Sequence, residues 1–126
     1  MISADDDLGD VPVDGPETVA EERLLASFGR QARTVNLARV VRLLALLDSS
    51  DAGGLDRAGR REAENLAHQV VGSAGTFGFR AASVDAVLIE DYFAGEPTGP
   101  GSAVGAAAVR QTLERLRTQF ADPAQR

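Results

Sequence analysis

The chain has no cysteine, no lysine, no tryptophan and only one histidine. Without cysteine there is no disulfide framework and no thiolate chemistry. All thirteen basic residues are arginine, which rules out Schiff-base catalysis and a Walker A lysine. A single histidine removes multi-histidine metal sites, and no tight carboxylate constellation replaces them, so no metal and no cofactor is expected. Aromatic residues make up only 5% of the chain, which leaves leucine, alanine and valine to pack the interior. A length of 126 residues with 44% apolar content suits one domain with a modest core. The net charge of −6, with no basic stripe, argues against a nucleic-acid binder. No apolar run approaches the ~18 residues of a membrane span, and the acidic N-terminus is unlike a signal peptide. A soluble, cytoplasmic, monomeric protein is the expectation.

Residues 1–15 hold five aspartates, two glycines and a proline, and read as a flexible acidic tail ahead of a helical domain over residues 16–121. Asp5, Asp6 and Asp7 are either solvated or a charge run for a partner. Pro16 suits a first helical turn, and Thr18 with Glu21 has capping-box spacing. Leu24, Leu25 and Phe28 give a short apolar face, and Gly29 marks a bend that ends a short first helix. From Thr34 to Leu47, Leu37, Val40, Val41, Leu44 and Leu47 recur at three- and four-residue steps, with Arg39 and Arg42 toward water. Asp48 to Gly54 is turn chemistry.

A third helix is predicted from Leu55 to Thr76, with Ala63, Leu66, Val70 and Ala74 inward, Phe77 as a core plug and Gly78 as a left-handed stop. Ser83 is a candidate N-cap for a helix to Phe93 whose inward stripe is Ala86, Ile89 and Phe93. Pro97 and Pro100 break the chain, and Ser102 caps a last helix carrying Val109, Leu113, Leu116 and Phe120. No strand alternation occurs. The pattern is all-α: an antiparallel four-helix bundle with an additional short N-terminal helix.

One stretch, Glu64 to Gly78, stands apart. It holds His68 followed by Gly72, Gly75 and Gly78. On a helix, Gly72 lies roughly 40° to one side of His68 and Gly75 roughly 20° to the other, while Leu66, Val70 and Phe77 fall near the opposite side. The imidazole is therefore aimed at solvent over a strip cleared of side chains. Each glycine inside a helix costs about 1 kcal/mol against alanine, and close approach by another protein is a reason to keep two.

The run His68, Gly72, Ser73, Ala74, Gly75, Gly78, with Ala82, Ser83, Ala86, Ile89 and Glu90 at matching spacing beyond it, resembles the signature of histidine-containing phosphotransfer (HPt) domains of bacterial phosphorelays. The likeness is strongest from Glu64 to Glu90. It implies a helical bundle that is not itself an enzyme. His68 would take a phosphoryl group from an aspartyl phosphate on a response-regulator receiver domain and hand it to another receiver aspartate. Receiver domains, a hybrid histidine kinase, or both would be the partners, and the receiver would bring the Mg²⁺. Gly72 and Gly75 would admit the receiver's loops.

Around His68, Gln69 sits about 100° away and is a hydrogen-bond donor, Arg61 lies two turns earlier on the same face, and Glu64 lies one turn earlier. For each, the plainer alternative is a solvent-facing helix residue. Where the family carries a lysine three residues after the histidine, this chain has Val71, at the edge of the histidine face and a candidate apolar docking contact. Two other readings stand beside phosphotransfer. One keeps the bundle as a non-phosphorylated adaptor that docks receivers or kinases. The other, a sensor-kinase dimerisation domain, would need an acidic residue directly after the histidine, where Gln69 stands. With valine in place of lysine, the resemblance implies slower transfer or a shorter-lived phosphohistidine. Val71→Lys is therefore expected to lengthen the phosphohistidine half-life, and an unchanged half-life counts against that account.

Overall fold

The structure is a computed structural model that describes residues 16–51, 55–95 and 102–122. The acidic tail, most of the glycine turn at 52–54 and the proline-containing loop at 96–101 lie outside the described residues, as does the side chain of Ser102. Four helices, and no strand, make up the described residues: α1 (Pro16–Asp51), α2 (Arg57–Thr76), α3 (Arg80–Ala94) and α4 (Ser102–Ala121). None of them is long and apolar enough to cross a membrane.

The chain divides into two compact units, Met1–Arg30 and Gln31–Arg126. In the first, Leu24, Leu25 and Phe28 of α1 are exposed. The second holds the remainder of α1 with α2, α3 and α4 as a four-helix bundle. The sequence predicts a separate short helix ending near Gly29, but residues 16–51 form one helix. One glycine costs about 1 kcal/mol, and the flanking Ala26, Arg30, Gln31 and Ala32 are good helix formers. Pro16 opens the helix, so Thr18 lies within it and is not its cap. The helix also runs past Asp48, the expected start of the turn, to Asp51.

The interior of the bundle is built from Val40, Leu43 and Leu47 of α1, Ala63, Ala67, Val70 and Ala74 of α2, Ala82, Ala86, Ile89 and Phe93 of α3, and Val109, Leu113, Leu116 and Phe120 of α4. The stripes predicted for α3 and α4 are the ones buried. On α1 and α2 the predicted Val40, Leu44, Leu47, Ala63, Val70 and Ala74 are buried, and the departures lie at the margins of the stripes. Leu43 and Ala67 are buried, whereas Val41 is exposed and Leu37 and Leu66 are only partly covered.

Polar contacts set the order of the helices. Asn36 Nδ2 donates to Ser73 Oγ at 3.1 Å, and Arg42 makes a two-pronged contact with Glu62 at 2.8 and 2.9 Å, so α1 and α2 run antiparallel. The Arg42 hydrogen bond and charge hold the Glu62 carboxyl below its ordinary value. Asp85 of α3 accepts from Arg115 Nε at 3.1 Å and from Gln119 at 3.3 Å on α4. That hydrogen bond, with the charge of Asp85, raises the pKa of Arg115. Asp48 pairs with Arg110 at 2.8 Å, joining α1 to α4. Phe79 meets Phe120 edge to face, with ring centres 5.5 Å apart.

Caps fix the ends. The Asp56 side chain accepts from the Gly59 amide at 2.8 Å and starts α2. After Thr76 the chain turns through Gly78, at φ +88°, with the Phe79 amide reaching back to the Ala74 carbonyl at 2.8 Å. This is the expected left-handed stop. Phe77 packs against the core, as expected of a plug. At the far end of α3, the Arg60 guanidinium donates to the carbonyls of Tyr92, Phe93 and Gly95 at 3.2, 3.3 and 2.9 Å. It also lies 5.9 and 5.8 Å from the centres of the Tyr92 and Phe93 rings. One cation thus satisfies the carbonyls a helix end leaves unpaired.

Ala63, Ala67, Ala74, Ala82 and Ala86 are all fully buried, so α2 and α3 meet through small side chains with no room to spare. Ala86→Leu is expected to lower unfolding free energy by about 1–3 kcal/mol through overpacking. Val84→Leu, at a position 72% exposed, is expected to leave it unchanged. Denaturant midpoints of the two proteins check the contrast.

Candidate functional site

Helix α2 exists because Asp56 caps its start and an alanine-and-valine stripe buries one side; its other side is what the bundle leaves to solvent. His68 stands there, its side chain 74% exposed. The neighbouring helix reaches it. Nδ1 of His68 lies 2.8 Å from Oε2 of Glu90, a side chain only 25% exposed. An ionised carboxylate only accepts hydrogen bonds, so the assigned proton sits on Nδ1. Nε2 then carries the free lone pair, on the side of the ring away from Glu90.

The position of Glu90 follows from the hairpin between α2 and α3. Ser83 Oγ donates to the Val71 carbonyl at 2.8 Å, and a Cβ placed on Gly75 would sit 3.4 Å from the same hydroxyl. These contacts pin the start of α3 against the end of α2. Antiparallel helices in that register bring together residues equally far from the Gly75–Ser83 contact, and His68, seven residues before Gly75, and Glu90, seven after Ser83, are such a pair. Ser83, predicted as the N-cap of α3, is instead this latch. The cap position is Phe79, which makes no side-chain capping bond, and α3 already begins at Arg80.

The residues singled out from sequence divide clearly. Gly72 is exposed, and a Cβ there would meet nothing within 4 Å. No contact inside the protein demands glycine at this position, which leaves space beside the imidazole for something outside. Gly75 is also exposed but faces Ser83. Gln69 and Arg61 are exposed and line an open groove with Ala58, Glu62, Asn65 and Leu66, next to the histidine. Glu64 is half-buried one turn before His68, but the carboxylate bonded to the ring belongs to Glu90. Val71 is half-buried and packed against the core, in the seam with α3.

Glu90 is the partner of His68 that helix geometry along α2 alone misses. Its signal was available, since it closes the second matching segment, but its role needs the register of α3. The exposed side chains Val84 and Val87 of α3 continue the surface on that flank, 72% and 42% exposed.

No curated protein and no solved structure gives a significant match to the chain. The family model described as Hpt domain matches residues 23–119. Hpt domains are histidine phosphotransfer modules of two-component phosphorelays and interact with receiver domains and kinases. The match spans most of the bundle and includes both halves of the His68–Glu90 pair. An exposed histidine oriented by a carboxylate on an all-helical scaffold, together with that match over most of its length, means that the chain belongs to the Hpt domain family.

Proposed function

We propose that His68 is the phosphoryl-accepting residue, taking the group from an aspartyl phosphate on a receiver domain and passing it to the aspartate of another. The observation that carries this reading is the exposed imidazole held through Nδ1 by Glu90 at 2.8 Å, beside the open space over Gly72. Nε2 attacks phosphorus while the P–O bond to the aspartate breaks, and the carboxylate leaves with the electron pair. The ring becomes cationic as the new P–N bond forms, and the Nδ1 proton stays shared with Glu90, whose charge offsets it. The return step runs the same path backwards: a receiver carboxylate attacks phosphorus and the electron pair returns to Nε2.

Glu90 acts through the histidine and is a positioning residue. Gly72 and Gly75 keep the approach clear, Gln69 and Arg61 offer polar contacts to the incoming domain, and Glu64 borders the face. The protein acts as a monomer in the cytoplasm, between receivers or between a hybrid kinase and a receiver. It needs no catalytic site of its own beyond the imidazole and the groups that hold it.

Receivers carrying labelled phosphate are expected to transfer label to the wild-type protein, acid-labile and alkali-stable, and none to His68→Gln. Binding without transfer from any receiver would favour the docking adaptor instead. Glu90→Gln is expected to slow transfer by about tenfold, because the amide no longer fixes the ring proton on Nδ1. Its thermal midpoint is expected to be little changed, since the amide fills the same volume and the histidine end of the pair is exposed. An unaltered transfer rate in Glu90→Gln would show that the contact plays no part in the chemistry.

A further inference from the structure

A phosphoryl group carries a charge of about −1.5 to −2 near neutral pH, and the side chain already set against the His68 ring is a carboxylate. Two negative groups on one imidazole call for a cation nearby. Helix α2 has none within a turn of His68, where Glu64, Asn65, Gln69, Val71 and Gly72 stand. Arg61 is two turns away, roughly 10 Å along the axis. Helix α3 contributes Glu90, Val87 and Asp91 on that side, again without a cation.

Helix α1 does bring one. Its register against α2 is fixed by two contacts, Asn36 to Ser73 and Arg42 to Glu62. Residue 39 is halfway between 36 and 42, and halfway between Ser73 and Glu62 on α2 lies the step from Ala67 to His68. Arg39 therefore stands level with the histidine, on the opposite flank of α2 from Glu90. Its side chain is half-buried, and Nη1 donates to Asn36 Oδ1 at 2.8 Å. Asn36 is itself fully buried and tied to Ser73. Arg42, Arg110, Arg115 and Arg117 each pair with a carboxylate. Among the described residues Arg39 pairs with none, so its charge is held in place by a neutral amide and is not cancelled. The surface between it and the imidazole crosses Gly72, where a side chain would stand in open space.

We propose that Arg39 is the anion-binding residue of this protein, receiving the phosphoryl oxygens of phosphorylated His68 from the α1 side. The proposal rests on His68 being the phosphorylated residue. A guanidinium suits the task, because it offers a planar set of donors to phosphate oxygens and stays charged at any physiological pH. The Asn36 bond leaves its remaining donors available.

The test uses potassium phosphoramidate, a small anionic donor that needs no protein partner. Nε2 bonds to phosphorus as the P–N bond of the reagent breaks, its electron pair leaving on ammonia. Initial rates of His68 labelling are compared for wild type, Arg39→Gln and Arg39→Lys, with thermal midpoints alongside. Arg39→Gln is expected to label about five- to tenfold more slowly, Arg39→Lys to recover most of the rate, and the wild-type rate to fall as salt rises. An Arg39→Gln rate within about twofold of wild type overturns the proposal. So does an Arg39→Lys protein as slow as Arg39→Gln, or a wild-type rate indifferent to salt. Label on His68 from phosphoramidate but none from any receiver would overturn the relay reading and leave the Arg39 comparison intact.

Discussion

The contact between α2 and α3 is made of alanine on both sides, and the rest of the site depends on how closely that lets the two helices approach. Small side chains interdigitate at short range but do little to choose one register over another, because one alanine fits where the next did. The choice is made at the turn. Gly78 takes the left-handed conformation that ends α2, and Ser83 then bonds the Val71 carbonyl. A turn that closes only one way and a hydroxyl that fits only one carbonyl supply the specificity the alanine seam lacks. The carboxylate on the histidine is the downstream result.

A different balance holds α1. Its seam with α2 includes a fully buried amide, Asn36, whose oxygen and nitrogen are both used. A buried polar group left without partners costs about 1–3 kcal/mol, so any sliding of α1 along α2 is disfavoured by the loss of both bonds. The same amide carries Arg39 on its oxygen. Structure and charge placement are thus coupled at one residue, whereas the exposed Arg42–Glu62 pair adds little stability of its own.

Much of this was legible in the sequence, and each error has a physical cause. Helix count within the bundle, the α3 and α4 stripes, the exposure of His68 and the left-handed Gly78 all follow from periodicity and backbone sterics. The stripes on α1 and α2 missed only at their margins, at Leu37, Val41 and Leu66, because large apolar residues dominate a hydropathy pattern. Leu66 looked inward by size, yet where helices meet through alanine the small residue takes the seam. Ala67 is therefore buried, and Leu66 is pushed to its edge. Gly29 and Ser83 were read by local preference, as a break and a cap, and in both cases context prevailed. Glu90 could be listed with a matching segment but not joined to His68, since the pairing lies between helices and appears only when the hairpin register is known.

The His68–Glu90 bond spans a hairpin, so the hydrogen bond on the ring is sensitive to the number of residues between them. Removing one residue between Gly78 and Glu90 would turn every following α3 position by about 100°. The carboxylate would leave the ring, and Ile89 and Phe93 would turn out of the core with it. The inner nitrogen would then face water, and both tautomers would share the surface. The count of residues from turn to carboxylate is therefore fixed twice over, by the buried stripe of α3 and by the histidine ring. Chain length after the turn thus decides which ring nitrogen of His68 is left open to solvent.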